Sequence, residues 1–255
     1  MTSKRNDKLT KEYFEKNNYF DYPKENVFFF TQDTDYVLDV NGKLMLEDKG
    51  IIKKDSNGNG DVYRAFKSAG LNRTLDNVDY IVVSGIDNIL LDIIDPVFIG
   101  LTCDNNLDIA SKSIAKDDLD NSDWVFARVD DEPHIIKPSY LKGEMRYKKD
   151  KEGKYEFNQF NILCHIYKKN VFIECEDISL PYHAAFRKTN YLDEKGDIIE
   201  ATSPNSYKFE KFIYDAFAYY KNFALLEVER DKEFSPIKEK EDVKKAVELY
   251  IKNKY

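Results

Sequence analysis

The chain has 255 residues, 42 % hydrophobic and 34 % charged, which is enough apolar material for a real core. Its net charge of −8 argues against a general nucleic-acid or anionic-membrane surface, so a phosphorylated ligand would need a local basic site. The three cysteines, Cys103, Cys164 and Cys175, lack C-x-x-C spacing, and with no signal core and no run of about 18 apolar residues the reading is reduced thiols in a cytoplasmic protein.

In chain order, residues 10–17 read as a short helix behind Thr10, with Glu12 and Glu15 in its first turns and Tyr13 and Phe14 as its apolar side. Residues 27–31, 36–40 and 43–47 are β-branched and aromatic runs, and Asn41-Gly42 joins the last two as a hairpin. The stretch SNGNGDVYRAFKSAG, from Ser56 to Gly70, sets a glycine loop before a helix over 61–69. Residues 79–84 form an apolar run with polar neighbours, as a buried strand would. Strands follow at 124–129 and 134–137, then a charged excursion at 142–154. Phe209, Phe212, Ile213, Phe217 and Tyr220 fall at helical spacing and predict a helix over 208–220. A strand at 223–228 and an amphipathic helix at 242–252, with Val243, Ala246, Val247 and Tyr250 on one side, close the chain. Alternation of helix and strand points to an α/β fold.

Candidate chemistry is sparse. The Gly58-Asn59-Gly60 loop offers backbone N–H groups and a thin wall to an anion, and is equally ordinary turn chemistry. Asp87 follows the 79–84 run, where α/β sheets collect ligands; it would suit magnesium or simply cap a turn. Lys208, at the expected helix start, and Lys238, behind Glu233-Phe234-Ser235-Pro236, would each aim an ammonium at phosphate or lie on a solvated face. His134, His165 and His183 lack metal spacing and have no nucleophile beside them.

Read together, the segments MTS (1–3), YF (19–20), GNG (58–60) with YRA, DNIL (87–90), DPVFIG (95–100), FN (157–158), NI (161–162), PN (204–205), EKF (210–212) and EFSP (233–236) form an ordered series. The series resembles the UDP-sugar pyrophosphorylase family, most closely its eukaryotic-type UDP-N-acetylglucosamine members, from Met1 to about Lys238. The resemblance implies a Rossmann-like mixed sheet of the GT-A-like type lacking its N-terminal strands, with 1–238 as a partial nucleotidyltransferase domain and 239–255 as a C-terminal helix. It implies in-line attack of a sugar 1-phosphate on the α-phosphorus of UTP, with magnesium, to give a UDP-sugar and pyrophosphate. By the same match Gln32 faces the uracil, and Gly58 and Asn59 line the sugar and nucleotide pocket. Asp87 serves the metal or the phosphates, Asn161 the sugar, and Lys208 and Lys238 the phosphates.

The departures are as specific as the matches. No L-x-G-G-x-G-T-R-L-G segment, the family's triphosphate cradle, is present, so a separate N-terminal chain is the expected partner beside UTP or UDP-sugar and sugar 1-phosphate. Asp33 stands for a glycine, Asp92 for a lysine and Lys137 for a sugar-binding glutamate, and F-N-A-G-N reads Phe157-Asn158-Gln159-Phe160-Asn161. Such swaps would disfavour an unmodified sugar site, and their alternative reading is an inactive nucleotide-sugar-binding protein.

Overall fold

The computed structural model describes residues 1–116 and 124–254. Two compact units emerge, one from Met1–Asp76 and Ile173–Asp215, the other from Asn77–Phe172 and Ala216–Tyr255. No helix among the described residues is long and apolar enough to cross a membrane.

In the first unit, α1 (Asp7–Lys16) starts ahead of the expected Thr10, whose N–H instead donates to the Asn6 carbonyl. Asp7 draws the start forward: its carboxylate sits in the first turn, favoured by the helix dipole, and accepts from Thr2 Oγ1 at 2.6 Å and Lys11 Nζ at 2.7 Å. Beyond α1, Asn18, Tyr19, Phe20 and Asp21 all take left-handed backbone, with φ from +47° to +60°. Aromatic packing offsets the strain, Phe14 meeting Phe20 at 5.3 Å and Phe29 at 5.1 Å, both edge-on.

The expected strand at 27–31 is a correction. Only Thr31 pairs, in one parallel bridge to Thr2, because Phe29 and Phe30 are taken up by ring contacts with Phe14 and Phe66. The Asn41-Gly42 turn forms as read: Leu38 bridges Leu44, Gly42 takes φ +77°, and the Asp39 carboxylate accepts from the N–H groups of Asn41 and Lys43 at 2.8 Å. Helix α2 (Val62–Ser68) follows the glycine loop through a tight turn at Asn59–Asp61 and buries Val62, Tyr63 and Ala65.

The helix expected over 208–220 is also a correction. Ser206–Glu210 is a strand in antiparallel register with His183–Arg187, Lys208 lying opposite Ala185, and a short 3-10 helix, Ile213–Tyr219, follows. Tyr207 and Phe209 are strong strand formers, and the ladder, a non-local partner, overrides a spacing that fits a helix only by coincidence.

The second unit is built on one mixed sheet of six strands: β1 (Tyr80–Ser84), β2 (Ile109–Ala115), β3 (Val125–Val129), β4 (Glu132–Ile136), β5 (Gln159–Lys168) and β6 (Phe223–Glu227). The order is β6-β2-β5-β3-β4, with β1 also on β5; the β6–β2 pair is parallel and the others antiparallel. Strand β2 is buried on both faces from Ile109 to Ile114. Phe98, Leu107, Ala110, Val125, Phe160, Ile162 and Ile166 pack as its core. The strands expected at 79–84, 124–129, 134–137 and 223–228 are thus present within a residue or two at each end. Helix α3 (Pro96–Asp104) starts on Asp95, and α4 (Asp242–Lys254) buries Ala246 while Val243, Val247 and Tyr250 stay exposed.

Candidate functional site

Three of the quoted motifs meet in the second unit. Asn88, of DNIL, donates its Nδ2 to the Glu233 carbonyl at 2.7 Å and accepts the Ser235 N–H on Oδ1 at 3.0 Å. The Ile237 N–H then donates to the Asp87 carbonyl at 2.8 Å. Asp87 and Lys238 therefore sit on adjoining backbone segments, both exposed. Gly85 keeps room for the Asp87 carboxylate, since a Cβ there would lie 2.8 Å from Oδ1.

Beneath these loops lies Lys112 of β2, with side-chain exposure of 0 %. Its ammonium donates to Glu233 Oε2 at 2.6 Å, Asp95 Oδ2 at 2.8 Å and the Asp92 carbonyl at 2.9 Å, which uses all three N–H bonds. Burial pulls its pKa down, but hydrogen bonds to Asp95 and Glu233 outweigh this and hold it above the usual lysine range. Asp95 also caps α3, accepting from the N–H groups of Val97 and Phe98. Desolvation of Asp95 is likewise outweighed by Lys112, leaving its pKa low. The burial that surrounds Lys112 pushes the Cys164 thiol up to about 12, so it is inert.

Asn161, expected at the sugar, is committed through Oδ1 to the Leu163 N–H at 2.8 Å. That bond braces an irregular stretch of β5 in which Leu163 takes φ +55°.

The first unit holds Gln32, Gly58, Asn59 and Lys208. Gly58 (φ +93°, ψ 169°) and Gly60 leave no open wall. A Cβ on Gly58 would come within 2.3 Å of the Lys211 carbonyl oxygen, and one on Gly60 within 2.8 Å of the Lys211 carbonyl carbon. The face that Cβ atoms would need is filled by the 211–212 backbone, which the Gly60 N–H and the Asn57 carbonyl hold by hydrogen bonds at 2.9 and 2.8 Å. The Asn59 Oδ1 accepts the Ile213 N–H at 3.0 Å. Lys208, on a strand rather than a helix start, has Glu210 Oε1 at 3.1 Å and Asp55 Oδ2 at 3.6 Å.

Two buried amide oxygens in this unit, Gln32 Oε1 and Asn57 Oδ1, have no hydrogen-bond partner among the described residues. Their backbones neighbour each other, the Asn57 N–H donating to the Asp33 carbonyl at 3.2 Å. Asn57 is not singled out in the sequence, where its position beside Gly58 is the signal for it.

The departures divide in character. Asp33 is matched by Arg64, whose Nη2 lies 2.9 Å from Oδ2; that hydrogen bond holds the Asp33 carboxyl below its usual range. The same guanidinium grips buried Asp61 through Nε and Nη2 at 3.0 and 2.7 Å. Phe160 lies in the sheet core, with Lys116 Nζ 4.2 Å from its centroid. Lys137 sits 4.9 Å from the Trp124 ring. Gln159 bridges Ser113 at 2.7 Å and Glu227 at 2.5 Å.

A mixed α/β sheet with polar loops gathered beyond a strand end belongs to the class of proteins that take ligands at such loops. The family model described as UTP–glucose-1-phosphate uridylyltransferase matches residues 1–253, and the chain belongs to that family. Relatives include the UDP-N-acetylglucosamine pyrophosphorylase of Saccharomyces cerevisiae, 35 % identical over 249 residues, 93 % of this chain and 52 % of that protein. UDP-N-acetylhexosamine pyrophosphorylase-like protein 1 of Homo sapiens is 33 % identical over 247 residues, 94 % of this chain and 48 % of that protein. A Trypanosoma brucei uridine diphosphate N-acetylglucosamine pyrophosphorylase, solved with an inhibitor, aligns with a TM-score of 0.81 at 26 % identity, over 96 % of this chain and 51 % of that one. The chain spans about half the length of the curated relatives it matches.

Proposed function

We propose that the chain contributes to a cytoplasmic uridylyltransferase that makes a UDP-sugar, UDP-N-acetylglucosamine being the reference case, from UTP and a sugar 1-phosphate. The observation that carries this is the adjacency of Asp87 and Lys238, fixed by the Ile237–Asp87 hydrogen bond in a chain of this family. A sugar-phosphate oxygen attacks the α-phosphorus, the bond to the bridging oxygen breaks, and pyrophosphate leaves, so the protein's work is placement and charge compensation.

Among the described residues, no group of three or more His, Cys, Asp and Glu is arranged to hold a metal ion. Magnesium commonly binds through one or two carboxylates, with phosphates and water completing its shell, and the exposed Asp87 carboxylate fits that part. Bound there, magnesium would supply charge neutralisation at the phosphates. Lys238 and Lys208 would meet phosphate oxygens. Gln32, whose Oε1 lacks a partner among the described residues, would accept the uracil N3–H, while Gly58, Asn59 and Asn161 would border nucleotide and sugar. A glycine-rich triphosphate cradle, of the kind these 255 residues lack, would come from outside them.

A second reading, nucleotide-sugar binding without turnover, is favoured by Lys208, whose ammonium already faces Glu210 and Asp55. Calorimetric titration with UDP and magnesium tests both. Binding is expected in the parent, to weaken by about 1 to 3 kcal/mol in Lys238→Ala and Lys208→Ala, and to stay unchanged in Lys148→Ala, whose exposed lysine pairs with Glu156. Equal affinities in all variants would refute both assignments. Pyrophosphate release from UTP and N-acetylglucosamine 1-phosphate separates turnover from binding alone.

A further inference from the structure

We infer that Lys112 is a positioning residue for the phosphate end of this site, an inference that rests on the transferase reading above. Lys112 is fully buried on β2, itself flanked by β5 and β6, so its ammonium is anchored to a strand hydrogen-bonded on both edges. Solvated surface lysines lack such anchorage. From that point the connections run outward without a gap. The ammonium holds the Glu233 carboxylate at 2.6 Å, the Glu233 carbonyl accepts from Asn88, and Asn88 in turn accepts from Ser235. Asp87 precedes Asn88 and accepts from Ile237, the residue before Lys238. On the other side the ammonium holds Asp95, and so the start of α3, and the Asp92 carbonyl within the loop that leaves Asp87.

Asp87 and Lys238 are both exposed, and each stands one residue from this network. An exposed carboxylate and an exposed ammonium on loops would otherwise sample many separations, and a divalent cation with a diphosphate requires a narrow range of them. The buried Lys112 group supplies that restriction without touching ligand, as outer partners do around metal ligands. Removing the ammonium alone would strand two carboxylates, so a loss of folding would say nothing about positioning. The informative protein is therefore Lys112→Met combined with Glu233→Gln and Asp95→Asn, which removes all the charges of the group together. Asn88→Ala cuts the same path nearer the loops.

Two readouts separate the roles. Amide hydrogen exchange is expected to quicken at least tenfold at Ser235 and Ile237 in both variants, with protection in β2 and β5 unchanged. Titration of magnesium pyrophosphate is expected to show at least tenfold weaker binding in both, at unaltered melting temperature. Unchanged exchange at Ser235 and Ile237 in the folded charge-free variant would overturn the positioning role whatever the titration gave. Parent-like binding in that variant would overturn it as well. Quickened exchange together with no magnesium pyrophosphate binding by the parent chain would instead refute the transferase reading and leave the anchoring by Lys112 standing.

Discussion

His165 is buried beside Ser111, its Nδ1 2.7 Å from the hydroxyl and its Nε2 without a partner among the described residues. Burial pushes its pKa down to about 3, so the folded chain keeps the ring neutral through mild acid. In the unfolded chain the ring takes up a proton near pH 6.5, the ordinary value, and stability present above that pH is lost as the pH falls toward 3. Asp33 and Asp95, held below the usual carboxylate range, add losses only below about pH 4. Urea unfolding should therefore show the parent losing about 1.5 to 2 kcal/mol between pH 6.5 and 5, and His165→Gln less than half of that. Parallel losses would mean that another group governs this window.

At the scale of elements, two backbone features make opposite forecasts. Gly58 occupies a region of backbone space open almost only to glycine, and its missing side chain is where the Lys211 carbonyl lies. Gly58→Ala should cost at least about 2 kcal/mol in thermal or urea unfolding. The left-handed turn Asn18–Asp21 contains no glycine, so Asp21→Gly, at φ +60°, should stabilise the chain by about 1 kcal/mol; no gain would show that the aromatic contacts leave no strain to relieve.

Local patterns made the Asn41-Gly42 turn, the 79–84 strand and the final helix legible in the sequence, because each is specified by a few adjacent residues. The 206–210 strand was illegible because its ladder partner lies some twenty residues upstream and its aromatic residues suit either period. The candidate site was half legible: the motifs marked Asp87 and Lys238, but the Asn88–Ser235 bond that brings them together spans 147 residues. Nor does a sequence say which face of a strand Phe160 takes; the register of β5 decides that.

For the whole molecule, the loop after β1 and the first turn of α3 leave large apolar side chains in water, Ile86 at 101 %, Ile94 at 74 % and Val97 at 66 % exposure. Side chains exposed in such concentration mark an association surface or an aggregation liability. Sedimentation of the 255-residue chain should show concentration-dependent self-association that Ile86→Lys with Ile94→Lys reduces. A sharp monomer at high concentration in the parent would exclude it.

The parallel pairing of β6 with β2 joins Phe223 to Ile109 and Glu227 to Ser113 across more than a hundred residues of chain. On a ribosome that separation becomes a delay. At roughly 5 to 20 residues per second, β2 emerges about 5 to 20 s before its neighbour exists, with apolar Ile109 and Ala110 already synthesised. Lys112 meets the same wait for Glu233. A nascent chain stalled before Phe223 should accordingly be a strong client for chaperones that hold exposed strands, and one stalled well beyond Glu233 a weak one.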